Sequence, residues 1–242
     1  MRVRLVTYNI HKGVGADRRL RLDRIAEVVR HYQPDVVCLQ EVLWAPVAEG
    51  HLTQPRALAE AIGLQHGVIA LNCVRRIGVY GNMTLSRFPI EEHENLDVTI
   101  AFKKPRSALY TKLRLPHASL HVLNAHFGLS GLERRWQARE VAQETKRLVR
   151  GREAVVLAGD LNDWRHRLFA QVLDAEGFRC AIGDAADPGH ATYPSWFPVG
   201  ALDKVFVKGA IQRPRATPSR LKLARVASDH LPVVAELVVE PL

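Results

Sequence analysis

The chain has 242 residues, 47% of them hydrophobic and 24% charged, which is enough to bury a substantial core and excludes disorder as the default state. Its net charge of +9, from 34 basic and 25 acidic residues, favours an anionic partner such as nucleic acid, a phosphorylated metabolite or an acidic lipid surface; a genomic bias towards arginine would give the same excess. No apolar run approaches the ~18 residues of a spanning helix.

The opening MRVRLVTYNI is interrupted by Arg4 and is too short for a signal peptide, so the expected location is the cytoplasm. The segment VRLVTYNI is rich in β-formers and reads as a strand. Gly13-x-Gly15 after that strand invites a dinucleotide fingerprint, but Arg18 stands at the third glycine position and no parallel βαβ unit clearly follows. Leu22, Ile25, Val29 and Tyr32 recur at helical spacing in a helix that must stop before Pro34. DVVCLQEV then reads as a buried strand ending at Gln40 and Glu41, with Cys38 as a small buried apolar residue. Cys38, Cys73 and Cys180 lie far apart without a CxxC, against a disulfide framework or a zinc cluster. A short helix around RALAEAIG stops at Gly63.

From Leu64 to His126 the texture is strand and turn, in HGVIALN, VYGNMTLS, PIEEHENLDV, SALYTKLRL and ASLHVLNAHF. A helix follows in GLERRWQAREVAQETKRLVRG, then the strand AVVLAG, a helix near HRLFAQVLDAEG, and the strands LDKVFVKG and LPVVAELVV. No repeat or linker marks a boundary, so residues 1–242 are expected to form one α+β domain. So many strands predict two packed sheets with helices outside.

The informative pattern is where the strands stop. Asn9, Glu41, Asn124 with His126, Asp160 with Asn162, Asp203, and Asp229 with His230 each stand at the rim of an apolar run. Singly, each has a structural explanation: a helix cap, a bonded core histidine or a turn. Together they place carboxylates where mutual repulsion calls for a cation. An oxygen-rich set without cysteine suits Mg²⁺ or Mn²⁺ better than zinc. Such a cation, with histidines and a basic surround, describes hydrolysis of a phosphate ester.

The set TYNIHKG, LQEV, GNMTLSR, NAHFG, AGDLND, LDKVFV and SDHLPV resembles the endonuclease/exonuclease/phosphatase superfamily, in the family's order and over nearly the whole chain. The resemblance implies a four-layer αββα sandwich with mostly antiparallel sheets and the site at one end. Carried over by position, it makes Glu41 the principal Mg²⁺ ligand, assisted by Asn9 and Asp229. Asp160 orients or deprotonates the attacking water, and Asn162 holds a phosphoryl oxygen. His230 pairs with Asp203 and donates to the phosphate, while His126 stabilises developing charge. Asn82 and Arg106 fall where members place substrate-side groups, and Trp196 is a candidate contact at the site mouth; Arg106 equally suits a solvated strand edge, and Trp196 a packing role. Asp163 is expected to cap the helix that follows.

His11 stands where abasic-site nucleases carry aspartate, and His126 where they commonly carry tyrosine, which weighs against DNA repair. The look is closer to small bacterial members of uncertain substrate. The leading expectation is a phosphodiesterase-type hydrolase acting on a lipid or small-molecule phosphoester, with peripheral membrane contact left open. The alternatives are a nuclease, whose basic segment RPRATPSRLKLAR would grip a backbone, and a non-catalytic phosphate-binding member.

Overall fold

The computed structural model describes residues 1–48, 51–76, 78–164, 167–182 and 188–241. Strand β1 (Arg2–Asn9) shows how the architecture follows from period-two alternation. Val3 and Leu5 face one way into a core between two sheets, while Val6 and Tyr8 face the other way, beneath helices. The same division runs through β2 (Val36–Trp44), β7 (Ala118–His126) and β8 (Ala154–Asp160).

The remaining strands are β3 (His66–Arg75), β4 (Gly78–Ser86), β5 (Ile90–Asp97), β6 (Ser107–Leu115), β9 (Arg179–Cys180), β10 (Asp203–Lys208), β11 (Ile211–Pro218) and β12 (Val233–Val239). They form two six-stranded sheets, ordered β11-β12-β1-β2-β4-β3 and β5-β6-β7-β8-β10-β9. Each sheet has one parallel pair, β1 with β2 and β7 with β8, among otherwise antiparallel pairs. Helix α1 (Leu22–His31) bridges the first parallel pair and α3 (Gly131–Leu148) the second, so the two halves share one topology. Ile25, Val28 and Val29 of α1 join Leu58 and Ile62 of α2 (Gln54–Ile62) on the outer face of the first sheet. Ala138, Val141 and Ala142 of α3 cover the second. This is the expected four-layer αββα order. None of the described helices is long and apolar enough to cross a membrane.

Several elements differ from the sequence reading. β2 does not end at Glu41 but continues to Trp44 through an irregularity between Leu39 and Val42. Of the helix expected near HRLFAQVLDAEG, Arg165 and His166 lie outside the described residues, and the rest holds only a short π-turn, Phe169–Leu173. The basic segment RPRATPSRLKLAR is divided. Its start is edge strand β11, where Arg213 and Arg215 share a groove with Arg2 and Arg4, at the opposite end of β1 from Asn9. Its end is the short helix α4 (Ala224–Ala227).

Between the sheets the inward-facing rows change character along their length. On β1 the row reads Val3, Leu5, Thr7, Asn9; on β7 it reads Leu120, Val122, Asn124, His126; on β8, Ala154, Val156, Ala158, Asp160. Where apolar gives way to polar, three buried amides fasten sheet to sheet. Gln40 Nε2 donates to Asn124 Oδ1 at 2.8 Å and to Thr7 Oγ1 at 3.0 Å. Asn124 Nδ2 donates to the Leu39 and Met83 carbonyls, and Asn82 Nδ2 to those of Ser107 and Asn124. Each donor bonds an acceptor that water cannot reach, so removing one leaves buried groups unsatisfied, at ~1–3 kcal/mol each. Asn124→Leu should therefore lower the free energy of unfolding by about 3 kcal/mol in urea titration; a change within experimental error would mean that the amides do not hold the sheets.

Candidate active site

The polar ends of the inward-facing rows surround one cleft of about 300 Å³. Asn9 closes β1, Asp160 closes β8, and the parallel pairing of β7 with β8 sets His126 beside Asp160. Gly159 makes this approach possible: a Cβ there would lie 1.8 Å from the Ala125 carbonyl, and its φ of +146° suits no other residue. β10 runs antiparallel to β8 and sets Asp203 opposite Asp160. His230 arrives from the segment before β12 and donates from Nδ1 to Asp203 Oδ2 at 2.9 Å.

Asp160 is the point of convergence. Its Oδ2 receives Asn9 Nδ2 at 2.9 Å and lies 3.4 Å from His126 Nε2 and 3.7 Å from His230 Nε2. Its Oδ1 accepts from the Asn162 amide N–H at 3.1 Å. Burial raises the Asp160 carboxyl above the usual carboxylate range, against the nearby His230 charge and the Asn9 hydrogen bond. Burial alone would lower His230, but the carboxylates of Asp203 and Asp160 outweigh it and lift the imidazole to about 10. Thr192 Oγ1 donates to the same Asp203 Oδ2 at 2.6 Å and fixes that carboxylate. His126 moves the other way: burial, reinforced by Arg106 and Lys104, drops it well below the usual histidine range. One histidine is thus held charged and the other neutral, within reach of a single carboxylate.

Across the cleft, Glu41 stands in the β2 irregularity with a left-handed φ of +57°. Burial raises its carboxyl, but Lys12, Lys104 and His11 together bring it below the usual range. The Lys12 ammonium sits directly on Glu41 Oε2. Asp229 Oδ2 lies 3.7 Å from His11 Nδ1. Asn9, Glu41 and Asp229 all line the cleft and offer it oxygen donors, the chemistry a hard divalent cation prefers, and the seated ammonium marks Glu41 as a place for positive charge. Asn9 Oδ1 also accepts from the His11 amide at 3.0 Å. Ligand atoms of Asp160, Asp203 and His230 also lie within 4.8 Å of one another, although Asp203 Oδ2 and His230 Nδ1 are engaged with each other.

Of the residues singled out from sequence, Asn9, Glu41, Arg106, His126, Asp160, Asn162, Asp229 and His230 line the cleft, and Asp203 lies just behind His230. Arg106 Nε is buried there with no hydrogen-bond partner among the described residues. Asn82 is not among the lining residues; it belongs to the amide layer beneath, as does Asn124. Asn162 donates its Nδ2 to the Phe127 carbonyl at 3.0 Å. Asp163 accepts from the Arg167 and Leu168 amides, which is a capping role. Trp196 is 65% exposed and lies outside the lining, which instead includes Trp164 and Tyr193. Sequence reasoning passed over Lys12, Lys104, Tyr193 and Thr192; the only local signal was the clustering of basic residues in HKG and KKPR.

The model of the endonuclease/exonuclease/phosphatase family matches residues 6–230, from β1 to His230. The chain belongs to that family. It is 35% identical to the uncharacterized protein YbhP of Escherichia coli K12, over 97% of this chain and 95% of that one. Among solved structures it resembles an endonuclease/exonuclease/phosphatase from Beutenbergia cavernae, with a TM-score of 0.82 and 27% identity over 98% of this chain and 72% of that one. Truncated TDP2 of Caenorhabditis elegans shares the fold, with a TM-score of 0.76 and 17% identity over 99% and 98% of the two chains. Family membership supports a phosphoesterase or nuclease-type hydrolase.

The His230 charge depends on its carboxylate neighbours. Replacing Asp203 by Asn should lower the His230 imidazole from about 10 towards the ordinary ~6.5 or below. Nitrogen-15 NMR titration of the imidazole reads this directly, and an unmoved titration would remove Asp203 as the source.

Proposed function

We propose that the protein is a phosphodiesterase-type hydrolase that uses Mg²⁺ or Mn²⁺ for in-line attack of water on the phosphate ester of a lipid or small molecule. The observation that carries this reading is the convergence of Asn9, His126 and His230 on one oxygen of Asp160, in a cleft that Glu41 and Asp229 also line with oxygen donors.

A divalent cation held by Glu41, with Asn9 and Asp229, would supply Lewis-acid stabilisation of the phosphoryl charge. The chain's own groups account for the proton traffic. Asp160, buried and more basic than an ordinary carboxylate, takes the proton of the attacking water at a carboxylate oxygen. Asn9 and Asn162 fix that carboxylate through hydrogen bonds to its two oxygens. His230, held as an imidazolium by Asp203, donates from Nε2 to a phosphoryl oxygen. Arg106, whose buried Nε has no hydrogen-bond partner among the described residues, supplies a charged donor to the phosphate, and neutral His126 offers a further hydrogen bond as charge develops.

The basic groove of Arg2, Arg4, Arg213 and Arg215 supports a second reading, a nuclease that holds a phosphodiester backbone outside the cleft. Substrate affinity that falls steeply with salt would favour the nuclease, and a shallow slope the compact phosphoester.

Asp160→Ala and His230→Ala should each cost about 10³-fold or more in turnover on the preferred phosphoester while keeping the parent circular dichroism spectrum. Near-parent rates in either folded variant would overturn the assignment. Chelation should abolish activity, and added Mn²⁺ should restore it. Because Lys12 occupies the Glu41 carboxylate, Lys12→Met should raise Mn²⁺ affinity by about 10-fold in calorimetry; unchanged affinity would show that the ammonium does not compete for that seat.

A further inference from the structure

The mouth of the cleft carries large apolar side chains that solvent reaches freely. Segment 193–200 folds back on itself through a bridge between Tyr193 and Gly200. At its tip stand Trp196 and Phe197, each 65% exposed, and Val199, 64% exposed. The tip is firmly anchored. Ser195 donates its amide to the Asp229 carbonyl at 2.7 Å, and its hydroxyl meets the carbonyls of Ser228 and Arg225.

Neighbouring loops present the same character. Leu129 and Leu132 are exposed where β7 gives way to α3, and Phe102 is fully exposed in the loop before β6. Lys104, Leu129 and Tyr193, one from each of these segments, line the same cleft, so the three segments meet at one rim. Single exposed apolar residues are ordinary, but an anchored apolar tip with further exposed apolar side chains round the same opening marks a binding surface. Exposed cations accompany them: Lys103 beside Phe102, and Arg225 beneath the Ser195 anchor.

We propose that this rim docks the protein on a bilayer containing anionic lipid, with Trp196, Phe197 and Val199 entering the boundary between headgroups and acyl chains. Two features select this partner. Tryptophan and phenylalanine faces could stack on bases, but Val199, Leu129 and Leu132 have no π-face to offer, whereas all five suit an interfacial apolar layer. A second copy of the same rim would set Lys103 and Arg225 among like charges, while anionic headgroups complement them. Docking in this way brings the cleft mouth to the lipid surface. It goes beyond the catalytic reading and does not depend on it, because none of the three tip residues lines the cleft.

The test is vesicle co-sedimentation, together with tryptophan emission, using mixed phosphatidylglycerol and phosphatidylcholine. The parent should bind with a blue-shifted emission. Trp196→Ala/Phe197→Ala should weaken binding on the order of 100-fold, and Lys103→Glu/Arg225→Glu about 10-fold, with unchanged circular dichroism and melting temperature. The Asp160→Ala variant should bind like the parent, which separates docking from catalysis. Absence of parent binding, or binding that the tip variant leaves intact, overturns the proposal. So does a tip variant that loses single-stranded oligonucleotide affinity instead, or that dissolves a dimer seen by light scattering.

Discussion

The register between the two sheets is the constraint on which the cleft depends, and three buried amides hold it. Apolar contact between sheets is non-directional, so Val3, Leu5, Leu120 and Val122 would tolerate sliding by a fraction of a residue. Hydrogen bonds from Gln40, Asn82 and Asn124 would not, because a small slip strands donors and acceptors away from water. One layer above, Asn9 of the first sheet meets Asp160 of the second at 2.9 Å. That contact ties the strand ends of the first sheet to Asp160 and His126 of the second. The amides touch nothing in the cleft, yet they set the spacing within which proton transfer and charge neutralisation would occur.

The backbone at the cleft is shaped for presentation rather than for ease. His11, Lys12, Glu41 and Asn162 all line it, and all adopt positive φ values between +45° and +59°. Such conformations cost free energy in non-glycine residues and persist where surrounding structure over-determines them. Here the determinants are visible: the irregular pairing of β2 with β4 turns Glu41 towards Lys12, and the Asp160 carboxylate grips the Asn162 amide. The electrostatics follow the same division. Carboxylates sit at the base, matched by the His230 imidazolium, while Lys12, Lys104 and Arg106 bring positive charge to the wall, an arrangement suited to an anionic ligand.

Much of this was legible in the sequence for a specific reason. A β-strand shows one face every second residue, so an apolar run that ends in Asp160, or in Asn124 and His126, announces polar groups at a strand end. Depth within the sandwich has no such signature. Asn124 and His126 lie on the same face of the same strand, yet one belongs to the amide layer and the other to the cleft. Asn82 carried the motif but not its depth. Glu41 looked like a strand terminus because a local irregularity cannot be read from an apolar pattern that simply continues to Trp44. Lys12, Thr192 and Tyr193 come from turns, where no periodicity marks which side chain points inward. β11 escaped notice because Pro214 and its flanking arginines break the usual strand texture, which an edge position tolerates.

The pairing of β1 with β12 sets Arg2 opposite Val238, so nearly the first and nearly the last residues are neighbours in the middle of one sheet. His230 and Asp229 reach the cleft from the segment leading into β12, and the Ser228 hydroxyl bonds the Asn9 carbonyl at 2.8 Å. One edge of β1 can pair with β2 as soon as α1 has crossed over, but its other edge is covered only by β12, far away along the chain. The cleft is therefore complete only once the segment before β12, which carries Asp229 and His230, has reached β1. A chain without that segment carries Asp160 and Asp203 but not the imidazole that links them.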